Sequence, residues 1–217
     1  MKKVFSILAV AAAVLVAGTA NAQMSVNAGF LSNINNTQTK FTNPLTNNEV
    51  KNDTMVSAGV GVYAGLSYNI NFTEHWGVAP GIYVDYIGKS EEKTLGTYST
   101  DMVDINIPIL FNYKVDFTSS FGIIGFVGPN VRYGLSAKSS VKIKATNTTE
   151  TADLYKKDNS GNTPMTRTDL GLTVGVGVHF NAFQIQTGFN FGLLDRDPGK
   201  NITQNFHQYF VGVGYVF

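Results

Sequence analysis

Cysteine is absent from the 217 residues, which excludes disulfides, thiolate metal sites and a lipid-modified cysteine at a processing point. Charge is scarce too. Asp, Glu, Lys and Arg make up 14% of the chain, with a formal net charge of +1. No basic excess exists to recruit nucleic acid or an anionic surface. Long apolar runs are missing with one exception, Val4 to Gly18, broken only by Ser6. No later segment is long and apolar enough to read as a membrane-spanning helix.

That exception has the build of an export signal. Met1-Lys2-Lys3 is a basic start, and Ala20-Asn21-Ala22 supplies the small-x-small pattern cut by signal peptidase. Cleavage is expected after Ala22, making residues 1–22 a signal peptide and Gln23 the first of residues 23–217. An uncleaved anchor is the alternative, disfavoured because the apolar run is short and meets a cleavage pattern directly. Without Lys2 and Lys3, 14 of the 16 basic residues remain against 15 acidic ones, a net charge of about −1.

What the chain has in quantity is glycine and aromatics, with 22 Gly, 15 Phe and 10 Tyr. Apolar residues alternate with small or polar ones instead of clustering, the period of a strand with two unlike faces. Met55 to Asn69 is the clearest case: Val56, Ala58, Val60, Val62, Ala64, Leu66 and Tyr68 share one face. The same alternation predicts strands over about 25–33, 55–69, 76–86, 98–114, 121–138, 166–180, 183–193 and 202–217. Between them, Ile34–Thr54 and Ser139–Met165 read as long polar loops, and Gly88–Thr97 and Asp195–Lys200 as medium ones. Turns near 71–75, 116–119 and 181–182 are short. The last of these, Asn181-Ala182, predicts a hairpin that pairs Phe180 with Phe183 and His179 with Gln184.

Eight strands, with connections alternately short and long, predict an antiparallel up-and-down transmembrane β-barrel. An even strand number puts both termini on the periplasmic side of an outer membrane. Closure matters because lipid cannot satisfy the backbone groups of an open edge. A soluble β-sandwich is the alternative on composition. Trp76, Phe121, Tyr68 and Phe180 near the short turns, and Tyr86 and Tyr133 at the other end, read as interfacial girdles.

The final strand carries Val211, Val213, Tyr215 and Phe217 on one face, with Gly212 and Gly214 on the other. Val213, Tyr215 and Phe217 are expected to act as the assembly signal read by the outer-membrane barrel assembly machinery. The inward faces collect Asp85, Asp104, Arg132, Arg167 and Asp169, expected to form a structural polar network inside the lumen. A turn centred near Thr118 predicts that Asp104 faces Arg132. Breaking such a buried ion pair costs about 3 kcal/mol. A plug is the structural reading of that pair, and a gate or proton path the functional one.

Asp104-Ile-Asn-Ile-Pro108-Ile-Leu-Phe-Asn-Tyr113, then Gly125-Phe-Val-Gly128-Pro129-Asn-Val-Arg-Tyr133, resemble the PorT-like outer-membrane β-barrel domain, often labelled "porin family". Its members carry an "IPLL…Y" strand followed by a "GP.(V)..Y" strand. Trp76-Gly-Val-Ala-Pro80-Gly-Ile-Tyr83, Asp169 to Gly177 and Gly212 to Phe217 fit its other strands. The resemblance covers nearly all of residues 23–217. It implies the barrel fold and an accessory role in protein secretion, and carries no catalytic residue over.

No catalytic, cofactor or metal site is expected. His75, His179 and His207 fall on separate faces or ends and meet no Ser or Asp in triad fashion. Glu49, Asp53, Glu91, Glu92, Glu150 and Asp153 are scattered over the outer loops, either as solvated charges or as sites for cations bridging lipopolysaccharide. Eight strands leave a lumen that side chains can fill. The expected function is therefore a structural or surface-interaction protein of the outer membrane acting through loops 34–54 and 139–165. A narrow pore for small solutes is the second reading. Expected partners are outer-membrane lipid and lipopolysaccharide, the barrel assembly machinery and periplasmic chaperones, but no nucleic acid.

Overall fold

Alternation of apolar with small or polar side chains is satisfied here by an inside-out cylinder. The computed structural model describes residues 22–42, 49–94, 96–157, 163–197 and 202–217. The expected signal peptide lies outside these residues apart from Ala22, which opens the first strand. The strands are β1 (Ala22–Thr42), β2 (Glu49–Asn71), β3 (Trp76–Lys93), β4 (Gly96–Asp116), β5 (Phe121–Ile143), β6 (Thr148–Asp153), β7 (Thr168–Phe180), β8 (Phe183–Gly192) and β9 (Ile202–Val216). Each wall strand pairs antiparallel with the next one round, β5 passing over β6 to pair with β7, and β9 returns to β1 to close the ring. Eight strands form the wall. β6 stands outside it, paired only with the far end of β5.

The two faces sort by chemistry. Phe30, Val60, Trp76 and Phe180 point outward at 69%, 66%, 56% and 62% exposure. Asn27, Asp85, Arg132 and Gln208 point inward and are at most 1% exposed. A soluble sandwich would cover its apolar faces with each other. This chain leaves them bare all round, far beyond the apolar patch a water-soluble monomer carries, so its solvent on that side is lipid.

Strand ends differ from the periodicity. Ile34–Thr54 is not a loop over most of its length: β1 and β2 stay paired from Asn35↔Val56 to Thr42↔Glu49. Gly88–Thr97 likewise pairs through Lys93↔Gly96, and Ser139–Met165 begins as a β5–β6 hairpin. These extensions rise past the apolar band and carry mainly polar residues on both faces. A strand polar on both faces shows no apolar period, so alternation cannot reveal it.

A second departure concerns the ladders. Pro80, Pro108 and Pro129 lie on the adjacent strands β3, β4 and β5. The β2–β3 ladder skips 68–69 opposite 79–80, β3–β4 skips 81–82 opposite 107–108, and β4–β5 skips 109–110 opposite 128–129. Proline has no N–H to donate, so each strand loses a rung beside its neighbour's gap. The gaps step diagonally across three adjacent ladders.

The tight hairpin at 181–182 pairs Phe180 with Phe183 and His179 with Gln184. Asn181 takes φ 52°, a left-handed conformation that asparagine tolerates better than most residues, and its N–H donates to Ser120 at 2.7 Å. The terminal strand closes the seam: Val213 lies between Ala28 and Ile185, and the Phe217 N–H donates to Met24 at 2.8 Å. Gly212 and Gly214 face inward, where a Cβ would collide with the Tyr63 hydroxyl and with the Asn27 and Gln184 amides. Only glycine lets β9 pass so close to them.

Candidate functional site

The interior of the cylinder is the site on which function turns, and it is built in three layers. At the end carrying the long hairpins, the first layer is ionic. Arg132 on β5 and Asp169 on β7 are direct ladder partners and their side chains form an ion pair. Arg132 also donates from Nη2 to the Phe206 carbonyl at 2.5 Å. Asp169 accepts from the Leu194 N–H at 3.3 Å.

This corrects the expected partnership of Arg132 with Asp104. The β4–β5 turn is centred near 119, one residue later than Thr118, so Arg132 lies opposite Asn106. The same register sets Asp104 opposite Gly134, and the bulge at Val103/Asp104 shifts only the pairs beyond it, from Val103↔Ser136 onward. Two residues of slip keep the face but change the neighbour. Asp104 instead faces Arg196, whose Nη1 is 3.9 Å from its Oδ2.

Arg196 is the residue that sequence reasoning missed, placed as it is in the connection after β8. It folds back over the mouth and is 1% exposed. Its Nη2 donates to the Tyr155 hydroxyl at 2.8 Å and to the Thr166 carbonyl at 3.1 Å, and its guanidinium lies 5.1 Å over the Phe206 ring. Burial pushes the Tyr155 phenol above its ordinary range, against the pull of Arg196, so it stays neutral and accepts this bond. One signal pointed there. The inner face was expected to hold three aspartates against two arginines, which left one buried carboxylate without a cation.

Arg167, expected in the same network, stands at the rim instead. It donates to the Gly134 and Leu135 carbonyls at 2.8 and 3.0 Å and lies 4.5 Å over the Tyr155 ring. β7 starts at Thr168, one residue beyond it, so strand parity does not govern where its side chain goes.

The second part of this region is a relay of neutral groups leading to Asp85. Asn130 donates to Thr173 at 2.7 Å, Thr173 to Asn190 at 2.7 Å, Asn190 to Gln208 at 3.0 Å, and Gln208 to Asp85 at 3.3 Å. Five strands of the ring thus share one chain of hydrogen bonds, with a carboxylate as final acceptor. Asp85 and Asp104 are ladder partners, so the relay ends beside the ionic layer.

Below it lies an aromatic layer. Tyr63 meets Phe210 edge-on at 6.1 Å and Tyr83 at 5.9 Å, and Phe126 stacks with Phe210 at 6.3 Å. Leu31 and Leu110 fill the remaining space. A void of only ≈ 50 Å³ separates this layer from the relay. Beneath, at the short-turn end, the lumen opens into a cup lined by amide and apolar side chains alike.

The histidines occupy three unlike places. His75 is in an exposed turn, its Nδ1 3.0 Å from the Lys114 carbonyl. His179 meets Asp116 at 2.6 Å at the mouth of the cup, and His207 packs on the outer wall against Phe189 and Phe191. Trp76, Phe121 and Phe180 ring the short-turn end, and Tyr86 and Tyr133 the other, all outward. Val213, Tyr215 and Phe217 are outward as well, with Tyr215 against Phe183 at 5.2 Å and Phe217 at 5.0 Å.

Solved structures with a similar strand arrangement include the attachment invasion locus protein Ail of Yersinia pestis, Neisserial surface protein A and OprG of Pseudomonas aeruginosa. Ail is 16% identical, with 90% of this chain and 99% of that one covered, at TM-score 0.42. The corresponding values are 15%, 91%, 99% and 0.44 for the Neisserial protein, and 16%, 90%, 96% and 0.44 for OprG. None of the curated proteins matches the chain. Residues 21–196, most of the ring, match the outer membrane protein beta-barrel domain. The chain belongs to that family, and is a small β-barrel protein of the outer membrane.

Proposed function

We propose that this barrel is a plugged scaffold that presents its hairpin extensions to partners outside the cell, and that it conducts no solute. The observation carrying this reading is the filled interior: the buried Arg132–Asp169 and Arg196–Asp104 pairs lie above an aromatic layer in which Tyr63, Phe126 and Phe210 are buried and Tyr83 partly so. Outside, the β1–β2, β3–β4 and β5–β6 hairpins continue past the apolar band as paired strands of mainly polar residues. Both termini and the short turns would then face the periplasm, after removal of residues 1–22.

The reading includes no catalysis and no cofactor. Lipid and lipopolysaccharide would meet the outer wall and the carboxylates of the hairpins. Periplasmic chaperones and the assembly machinery would handle the chain in transit, the latter through Val213, Tyr215 and Phe217. The PorT-like relationship is the finer family reading, supported by the strand motifs around Pro108 and Pro129. A narrow pore is the second reading, favoured by the cup at the short-turn end.

The absence of cysteine makes the test clean. Single substitutions Thr37→Cys, Thr149→Cys and Thr118→Cys, treated in intact cells with a membrane-impermeant maleimide, report which end is outside. Labelling at 37 and 149 but not at 118 is expected. The opposite pattern would refute external presentation of the hairpins.

A further inference from the structure

The cup at the short-turn end has a volume of ≈ 350 Å³. Tyr83, Leu110 and Phe126 form its floor, and side-chain amides of Asn69, Asn112, Gln184 and Gln186 line its wall. The amides are held in place from behind. Asn27, 1% exposed, accepts from Gln184 Nε2 at 2.7 Å and donates to Ser25 and Ser67 at 3.1 and 3.2 Å. Asn112, also buried, donates to Asn69 at 2.7 Å. These bonds fix the side chains while using only part of their capacity, since each amide has two N–H donors and a two-lone-pair acceptor. A pre-ordered wall of this kind binds without first losing rotamer freedom.

Charge narrows the guest. Lys114 at the mouth is 3.3 Å from Asp116, and Asp116 is 2.6 Å from His179, so among the described side chains the rim's cation and carboxylate offset each other and neither sign dominates the cup. An apolar guest would strip water from the amides without replacing their hydrogen bonds. A polyhydroxylated guest satisfies both constraints. Vicinal hydroxyls match the donor and acceptor edge of a planar amide, and the C–H face of a sugar ring can lie on the aromatic floor. The volume sits at the low end of small-ligand sites and equals the share of roughly a dozen waters. We infer that the cup is a binding site for a neutral, polyhydroxylated solute the size of one hexose. The inference is independent of what the hairpins meet at the other end.

The test uses the full mature protein refolded in a zwitterionic detergent without a sugar headgroup. Glucose, inorganic phosphate and toluene are each titrated while the side-chain amide signals of Asn112, Gln184 and Gln186 are followed by NMR. Glucose is expected to shift them saturably, and the other two are not. Gln184→Leu should weaken glucose at least about tenfold, as loss of a polar partner from a buried contact does. Because that change also deprives Asn27 of a donor, Ala79→Phe serves as a second variant. It fills the cup from β3 and leaves every polar group in place, so saturation should vanish while the backbone spectrum of the folded barrel persists. No saturable shift with glucose, an unchanged response in Ala79→Phe, or stronger binding of phosphate or toluene would each overturn the proposal.

Discussion

Arg132 and Asp169 face each other as ladder partners on β5 and β7 and join as an ion pair, while Asp104 turns to Arg196. The lumen therefore carries two crossed pairs instead of one. Both arginines and both aspartates are at most 1% exposed. Removing one member of such a pair leaves an uncompensated charge.

Arg132→Met or Asp169→Leu alone is accordingly expected to destabilise the refolded barrel by about 3–5 kcal/mol. The double variant should lose less than the sum, giving a coupling of at least about 1 kcal/mol. The Arg132/Asp104 combination should couple more weakly. Urea unfolding of protein refolded into lipid vesicles measures all three. A larger coupling to Asp104 would show that the β4–β5 register is wrong.

Arg196→Ala should free the β6–β7 connection. Its guanidinium ties Tyr155 and the Thr166 carbonyl to the mouth, and the Thr166 N–H returns a bond to the Arg196 carbonyl at 2.8 Å. Losing these ties is expected to raise proteolytic cleavage between Lys156 and Arg167 several-fold, with the wall strands still protected. Unchanged cleavage would mean that Arg196 does not hold the connection.

The proline diagonal makes a prediction about local opening. Amides flanking the gaps, such as those of Asn69, Ile82 and Leu110, should exchange with solvent deuterium faster than those of β7 and β8, whose shared ladder runs without a break. Uniform protection across the wall would contradict the gaps. So would fastest exchange at the β9–β1 seam.

Phe217→Ala removes an outward ring that packs on Tyr215 at 5.0 Å. Assembly into the outer membrane is expected to fall, with signal cleavage intact. Fractionation and the electrophoretic shift between folded and unfolded barrel check both steps. Normal assembly of the variant would remove Phe217 from the assembly signal.

Much of this fold could be read from alternation alone, because one face of each spanning strand meets lipid and the other a crowded lumen. Val174, Val176 and Val178 against Gly175 and Gly177 state both surfaces at once. Where that contrast ends, legibility ends too. Asn35 to Thr39 pair as a strand with polar residues on both faces, and nothing in their order distinguishes a ladder from a loop.

The interior was legible to the level of faces but not of neighbours. Parity places Asp85, Asp104, Arg132 and Asp169 inside, since it depends only on odd or even position. Partners depend on where a turn is centred, and a centre near 119 instead of 118 leaves no mark in an alternating sequence. Arg196 lies beyond the end of β8, where no period constrains it. The cup shows the same limit: Asn69, Asn112 and Gln184 come from three separate strands and meet only on closure.

The central claim is that the lumen is plugged. It is tested most directly by current through the refolded protein in a planar bilayer at symmetric salt. A plugged lumen predicts no steady current from the native chain. Arg132→Ala/Arg196→Ala, combined with Phe126→Ala and Phe210→Ala to thin both layers, should give steady openings. Steady current from the native protein, abolished by inner-wall substitution, would contradict the plug and establish a pore.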